Sequence, residues 1–137
     1  ISKETLMDQL TSIQKDCDCL LIKTDFSRFR NNREETYIFH NPGIAPDLGQ
    51  WIRTNTKIKM IGFDFISLSS YANRGLGRKA HLAFLANHGY EGKEIDPVLI
   101  MEDMDLSKII ESPKQILVSP LRFEKADGAP ITVFGYY

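Results

Sequence analysis

The chain has 137 residues, 42% hydrophobic and 26% charged, a balance ordinary for one globular domain with a sizeable core. Seventeen basic residues against eighteen acidic ones leave a net charge of −1, so composition carries no electrostatic footprint for nucleic acid or an anionic membrane. No apolar stretch approaches the roughly 20 residues of a membrane-spanning helix, and Lys3, Glu4 and Asp8 interrupt any secretory pattern.

Leu6, Leu10 and Ile13 recur at helical spacing and predict a helix over 3–15, with Ser2 as its N-cap. Cys17-Asp18-Cys19 leads into a strand. Two thiols on one strand face lie about 7 Å apart, which suits a disulfide poorly, and no second pair completes four zinc ligands. Reduced, buried thiols are expected, and with them a cytoplasmic location. Leu20-Leu21-Ile22-Lys23-Thr24 reads as a buried strand. Residues 25–45 read as a long polar loop holding Arg28, Arg30 and Arg33, then Glu34 and Glu35, then His40-Asn41-Pro42-Gly43. The arginines are expected to pair locally with the two glutamates.

Pro46 and Asp47 open a helix with Leu48, Trp51 and Ile52 on one face, and 58–66 is the next strand. Ser67 to Gly77 is a second loop; its Gly75-Leu76-Gly77 is too short and too far from the strand to be a dinucleotide fingerprint. It delivers the chain into a helix where His81, Phe84, Leu85 and His88 share one face. Pro97 to Met101 is a buried strand closing on Glu102. Asp103 and Asp105 read as solvated or capping residues, with Asp105 opening a short helix through Ile110. Strands over 116–123 and 131–134 close the chain, and Asp127-Gly128 supplies the positive-φ residues of a tight hairpin. Alternating helices and strands predict an α/β fold, a single domain over 1–137 whose sheet is mostly parallel with an antiparallel end.

His81 and Glu102 carry the chemistry. Each has two readings. The histidine is either a core residue satisfied by a backbone carbonyl or a metal ligand. The carboxylate, ending an apolar run, costs several kcal/mol to desolvate unless paired; it is either a salt-bridge partner of Arg74 or Arg78, or a second ligand at the strand carboxyl end where α/β folds bind ligands. Two ligands make half a metal site, since a catalytic ion normally takes three or more from protein.

Taken in series, several segments resemble the cyclase family of metal-dependent hydrolases, which includes kynurenine formamidases (arylformamidases) and isatin hydrolases. They are Leu20 to Thr24, Asn41-Pro42-Gly43 before Trp51, Ile61-Gly62-Phe63-Asp64-Phe65-Ile66-Ser67, His81 in its helix, Val98 to Leu106, and Pro120-Leu121 followed by Asp127 to Ile131. The resemblance implies a cyclase-type (swivelling β/β/α) fold. It also implies His81 and Glu102 as ligands of zinc or manganese, hydrolysis of an amide-type bond in a small-molecule substrate, and a homo-oligomer. Asp64 or Ser67 is a candidate acceptor fixing the His81 tautomer.

The family's His-x-Gly-Thr-His-x-Asp-x-Pro stretch, which supplies the other ligands, is absent here. Together with a first residue of Ile1, that leads to the expectation of the last three fifths of such an enzyme, inactive alone, with further ligands and the catalytic acid/base outside it. The 21 residues between His81 and Glu102 look longer than in the formamidases, which bears on substrate more than on fold. The competing reading is a non-enzymatic α/β domain in which the pair is structural.

Overall fold

A computed structural model describes residues 1–12, 16–87 and 95–137. His88, placed by pattern on the His81 face, lies outside the described residues. The chain divides into a unit over Ile1–Ser107 and a second over Lys108–Tyr137.

The first unit is built on a parallel sheet of β1 (Cys19–Ile22), β2 (Met60–Phe63) and β3 (Leu99–Met101), in that order. Leu20 pairs with Ile61, and Ile61 with Ile100. Four helices flank the strands in sequence: α1 (Lys3–Thr11), α2 (Glu34–Phe39), α3 (Pro46–Asn55) and α4 (Arg74–Leu85). The mixed α/β class read from the pattern is the one observed.

Local chemistry accounts for the helix starts. The Ser2 hydroxyl accepts from the Thr5 amide while Thr5 reaches back to Ser2, closing a capping box. Pro46 fills the first position of α3, where its missing N–H costs nothing. The Asn73 side chain accepts from the Leu76 amide at 3.1 Å and so begins α4.

The central strand is buried from Ile61 to Phe63, as a parallel strand covered on both faces must be. Ile61, Phe63 and Phe65 pack with Leu48, Ile52, Leu68, Ala80 and Phe84. Gly62 faces the other way, and a Cβ there would lie 2.9 Å from Leu21 Cδ2. Helices α3 and α4 meet where Gly49 admits the Phe84 ring, which would stand 2.7 Å from an added Cβ.

Several expectations are corrected. The polar stretch 25–45 is not a single loop: Phe26–Phe29 forms a 3-10 turn and Glu34–Phe39 forms α2. Tyr37 anchors both, buried and stacked on Phe26. No helix follows Asp105, whose carboxylate instead accepts from the Ser107 amide in a turn. The β3 run is an edge of the described sheet with Leu99 largely exposed, so it is not a fully buried strand. Cys17 and Cys19 are free but only partly buried; burial, with Cys17 and Asp18 nearby, pushes the Cys19 thiol up to about 12.

The second unit is an antiparallel pair, β4 (Gln115–Pro120) and β5 (Ile131–Tyr136), with Leu117 opposite Phe134. Ten residues join its strands rather than a tight turn. The positive φ falls on Lys125, at 61°, not on Asp127-Gly128.

Candidate functional site

The site lies where β2 and β3 give out. Past Phe63 the chain runs through Asp64 and Phe65 into the loop Ser67–Ser70, then into α4, which carries His81. Glu102 follows β3 directly. Its Oε1 accepts from the Leu68 amide at 2.7 Å and the Ser67 hydroxyl at 3.2 Å. The same oxygen stands 3.8 Å from His81 Nε2. The two residues do converge across 21 positions of sequence, and both side chains keep more than a third of their surface in solvent. Desolvation of Glu102 is therefore partial, and the side chain facing it is His81. Arg74, an expected alternative, lies instead over the Tyr71 ring at 4.5 Å.

The far side of the imidazole fixes its tautomer. His81 Nδ1 is 3.0 Å from the Gly77 carbonyl and 3.3 Å from Ser69 Oγ. A carbonyl can only accept, so Nδ1 carries the proton and donates to it. Nε2 then presents a lone pair toward a carboxylate oxygen. Two facing lone pairs repel unless a cation lies between them, either a proton on Nε2 or a metal ion. The donor set suits a divalent metal: an imidazole Nε2 whose other nitrogen is held by a carbonyl, beside a carboxylate held by its own donors. Ligands at about 2.1 Å around a tetrahedral ion stand about 3.4 Å apart, close to the separation seen. Among the described residues, no group of three or more His, Cys, Asp and Glu gathers to complete a site.

Asp64 and Ser67, the expected acceptors for His81, have other work. Asp64 is fully buried and accepts from the Thr24 amide at 2.9 Å and hydroxyl at 2.6 Å, tying β1 to β2 beyond their ladder. Ser67 serves Glu102. The acceptors that sequence reasoning missed are Gly77 and Ser69. Gly77 carries a signal legible afterwards: a Cβ there would lie 2.2 Å from Ser69 Oγ, so only glycine lets the loop touch the helix.

The loop itself is braced by Asn41. This side chain is buried, and its amide donates to the carbonyls of Ser67 at 3.4 Å and Ser69 at 3.2 Å. Ile44 N–H donates to Leu68 O at 2.9 Å. The Asn41-Pro42-Gly43 segment is thus the floor under the loop, while His40 is exposed at the end of α2. The arginine cluster does not pair with Glu34 and Glu35. Arg30 reaches Asp103 at 2.6 Å, and Arg28 and Arg33 lie over Phe29. Asp103 is therefore paired with Arg30 while about half of its side chain stays in solvent, as expected of a solvated residue. A groove of about 680 Å³ between α3 and α4, lined by Gln50, Lys79, Leu82 and Ala83, contains neither His81 nor Glu102.

The family model described as "Putative cyclase" matches residues 1–70, which include β1, α3, β2 and the start of the loop beneath Glu102. Cyclase-like proteins 3 and 2 of Oryza sativa subsp. japonica are 28% and 32% identical over 89 residues, 65% of this chain and 29% of each relative. Cyclase-like protein 2 of Arabidopsis thaliana is 28% identical over 103 residues, 75% of this chain and 32% of its own length. The chain belongs to the cyclase family. It matches about a third of the length of these curated relatives. His81 and Glu102 lie beyond the residues that the family model covers. No solved structure matches. Among the described residues, no helix is long and apolar enough to cross a membrane.

Proposed function

We propose that this chain contributes His81 and Glu102 to the metal site of a cyclase-family hydrolase acting on an amide-type bond, as in an aryl formamide. The observation that carries the reading is the 3.8 Å approach of His81 Nε2 to Glu102 Oε1, each held from behind by independent donors or acceptors. Zinc or manganese is the expected ion, held by His81 Nε2 and Glu102 together with ligands not contained in this chain. A divalent ion there supplies Lewis acidity, activating water and polarising a carbonyl.

The residues present have their own tasks. Gly77 and Ser69 keep the His81 proton on Nδ1, so Nε2 stays available as a donor. Leu68 N–H and Ser67 Oγ keep Glu102 from swinging into solvent and share its negative charge.

The test is hydrolysis of an N-formyl arylamine by the complete polypeptide in which these residues stand, with the 137-residue chain alongside. The expected result is chelator-sensitive turnover by the complete polypeptide, loss of at least 100-fold in His81→Ala and Glu102→Ala, and none by the chain alone. Full activity in either variant would overturn the assignment, and would leave the pair a structural contact in a non-enzymatic α/β domain.

A further inference from the structure

We infer that Arg30 and Tyr37 are positioning residues for Glu102, acting through Asp103; this rests on the reading of His81 and Glu102 as a cation-holding pair. Asp103 follows Glu102 and has φ of 57°, in the left-handed region that a non-glycine residue rarely enters. Its amide nevertheless donates to Phe65 O at 3.0 Å, and the Met104 amide donates to Phe63 O at 3.0 Å. The chain thus turns sharply just after Glu102 while staying tied to the end of β2.

What holds this turn comes from 66 to 74 residues upstream. Arg30 Nη2 lies 2.6 Å from Asp103 Oδ1, 2.8 Å from Asp103 O and 3.3 Å from Met104 O, and its two N–H groups are shared among these acceptors. The Tyr37 hydroxyl donates to the same Asp103 carboxylate oxygen and accepts from Arg30 Nη2 at 3.2 Å. Tyr37 is buried and its ring stacks on Phe26, so the hydroxyl is presented from a fixed wall. One guanidinium and one phenol therefore pin both the side chain and the carbonyl of a strained residue. The backbone that carries Glu102 is thereby set where its carboxylate meets the Leu68 amide, the Ser67 hydroxyl and the His81 ring. Partners that orient a ligand in this way are worth roughly 10- to 100-fold in metal affinity.

The experiment compares Arg30→Gln, Tyr37→Phe and Asp103→Gly with wild type and with Glu102→Ala. Asp103→Gly keeps a positive φ without steric cost and deletes only the pinned carboxylate. Two readouts are taken on the 137-residue chain: hydrogen exchange at the Leu68 amide, which bonds to Glu102 Oε1, and affinity for Zn²⁺ alone. The amides of Ile61 and Phe63 in β2 report the sheet. The expected result is that Leu68 protection falls at least 10-fold in all three variants, toward the Glu102→Ala level. Zn²⁺ affinity should fall with it, by about 10-fold or more, while the β2 amides stay protected. A general structural role would instead move Leu68, Ile61 and Phe63 together, and that would overturn the inference. So would wild-type protection of Leu68 in Tyr37→Phe and Asp103→Gly when Glu102→Ala exposes it. If Arg30→Gln loosens the whole sheet, Tyr37→Phe, which deletes one hydroxyl, decides. If Glu102→Ala leaves both Leu68 and Zn²⁺ affinity unchanged, the underlying pair reading fails instead, and the inference with it.

Discussion

Replacing Gly77 by alanine should destabilise the protein, although the change puts a better helix former inside α4. On propensity alone, glycine to alanine within a helix gains up to about 1 kcal/mol. The added Cβ would stand 2.2 Å from Ser69 Oγ, 2.4 Å from Ser69 Cβ and 2.8 Å from Ser69 Cα. The last of these contacts is to backbone, so no rotamer change relieves it, and the loop must retreat from α4. Overpacking of this kind costs about 1–3 kcal/mol, leaving a net loss of up to about 2 kcal/mol once the propensity gain of about 1 kcal/mol is subtracted. Gly75, two residues earlier in the same helix, is the matched control, because nothing lies within 4 Å of a Cβ built there. Gly75→Ala should stabilise by about 0.5 kcal/mol, being near the helix start. The two variants should then differ by up to about 10 °C in Tm, and urea unfolding should order them on either side of wild type. Gly77→Ala should also lengthen the Ser69–His81 contact, seen as a change in the Nδ1 proton signal. Equal stabilisation by both substitutions would refute the close approach of loop and helix on which the His81 geometry depends.

Arg53 donates to the carbonyls of Ala83 at 2.9 Å, Ala86 at 2.8 Å and Asp96 at 3.1 Å, and to that of Ile95, so it caps the end of α4; Arg53→Ala should cost about 2–3 kcal/mol in urea unfolding, and a loss under about 0.5 kcal/mol would show that water replaces it. Burial and the Asp103 carboxylate raise the Tyr37 hydroxyl from its usual 10 to about 12, and burial raises Cys19 to about 12. Both groups ionise more readily in the unfolded chain, so their stabilising contribution is intact below about pH 9 and is lost as pH rises toward 12. The slope reaches about 1.4 kcal/mol per pH unit per group. Tyr37→Phe should flatten the part above pH 10 in a urea series from pH 8 to 11, and an unchanged slope would contradict it. Leu76, Leu82 and Leu85 on α4, and Leu117 and Phe134 on the antiparallel pair, are all exposed. Light scattering at micromolar concentration should therefore exceed the 15.6 kDa of one chain, and a clean monomer would count against a homo-oligomer.

The elements that sequence made legible are those specified by local signals. The Ser2 capping box, Pro46 at the start of α3 and the continuous apolar run of β2 each act over a few residues, and each element formed near its expected place. His81 and Glu102 were legible as a pair because a helix following one strand of a parallel sheet packs beside the end of the next. The supports were not. Arg30 finds Asp103 across 73 residues, whereas Glu34 and Glu35 stood next to it in sequence and attracted the local reading. Asn41 works through backbone carbonyls, which have no sequence signature. Among the described residues, the non-glycine left-handed positions fall on Asp25, Asp103 and Lys125 and not on Asp127; at Asp103 the carboxylate and carbonyl are held by Arg30, a contact made across 73 residues.

Whether His81 Nε2 and Glu102 face a shared cation can be read from nitrogen-15 NMR of the histidine rings during Zn²⁺ titration. The chain contains only three histidines, His40, His81 and His88. Nδ1 of His81 should be protonated before metal is added. Zn²⁺ should then shift His81 Nε2 together with the Leu68 amide, and Glu102→Ala should abolish both shifts. A proton on Nε2 rather than Nδ1 in the neutral ring, or a Zn²⁺ response at His40 or His88 with His81 silent, would contradict it.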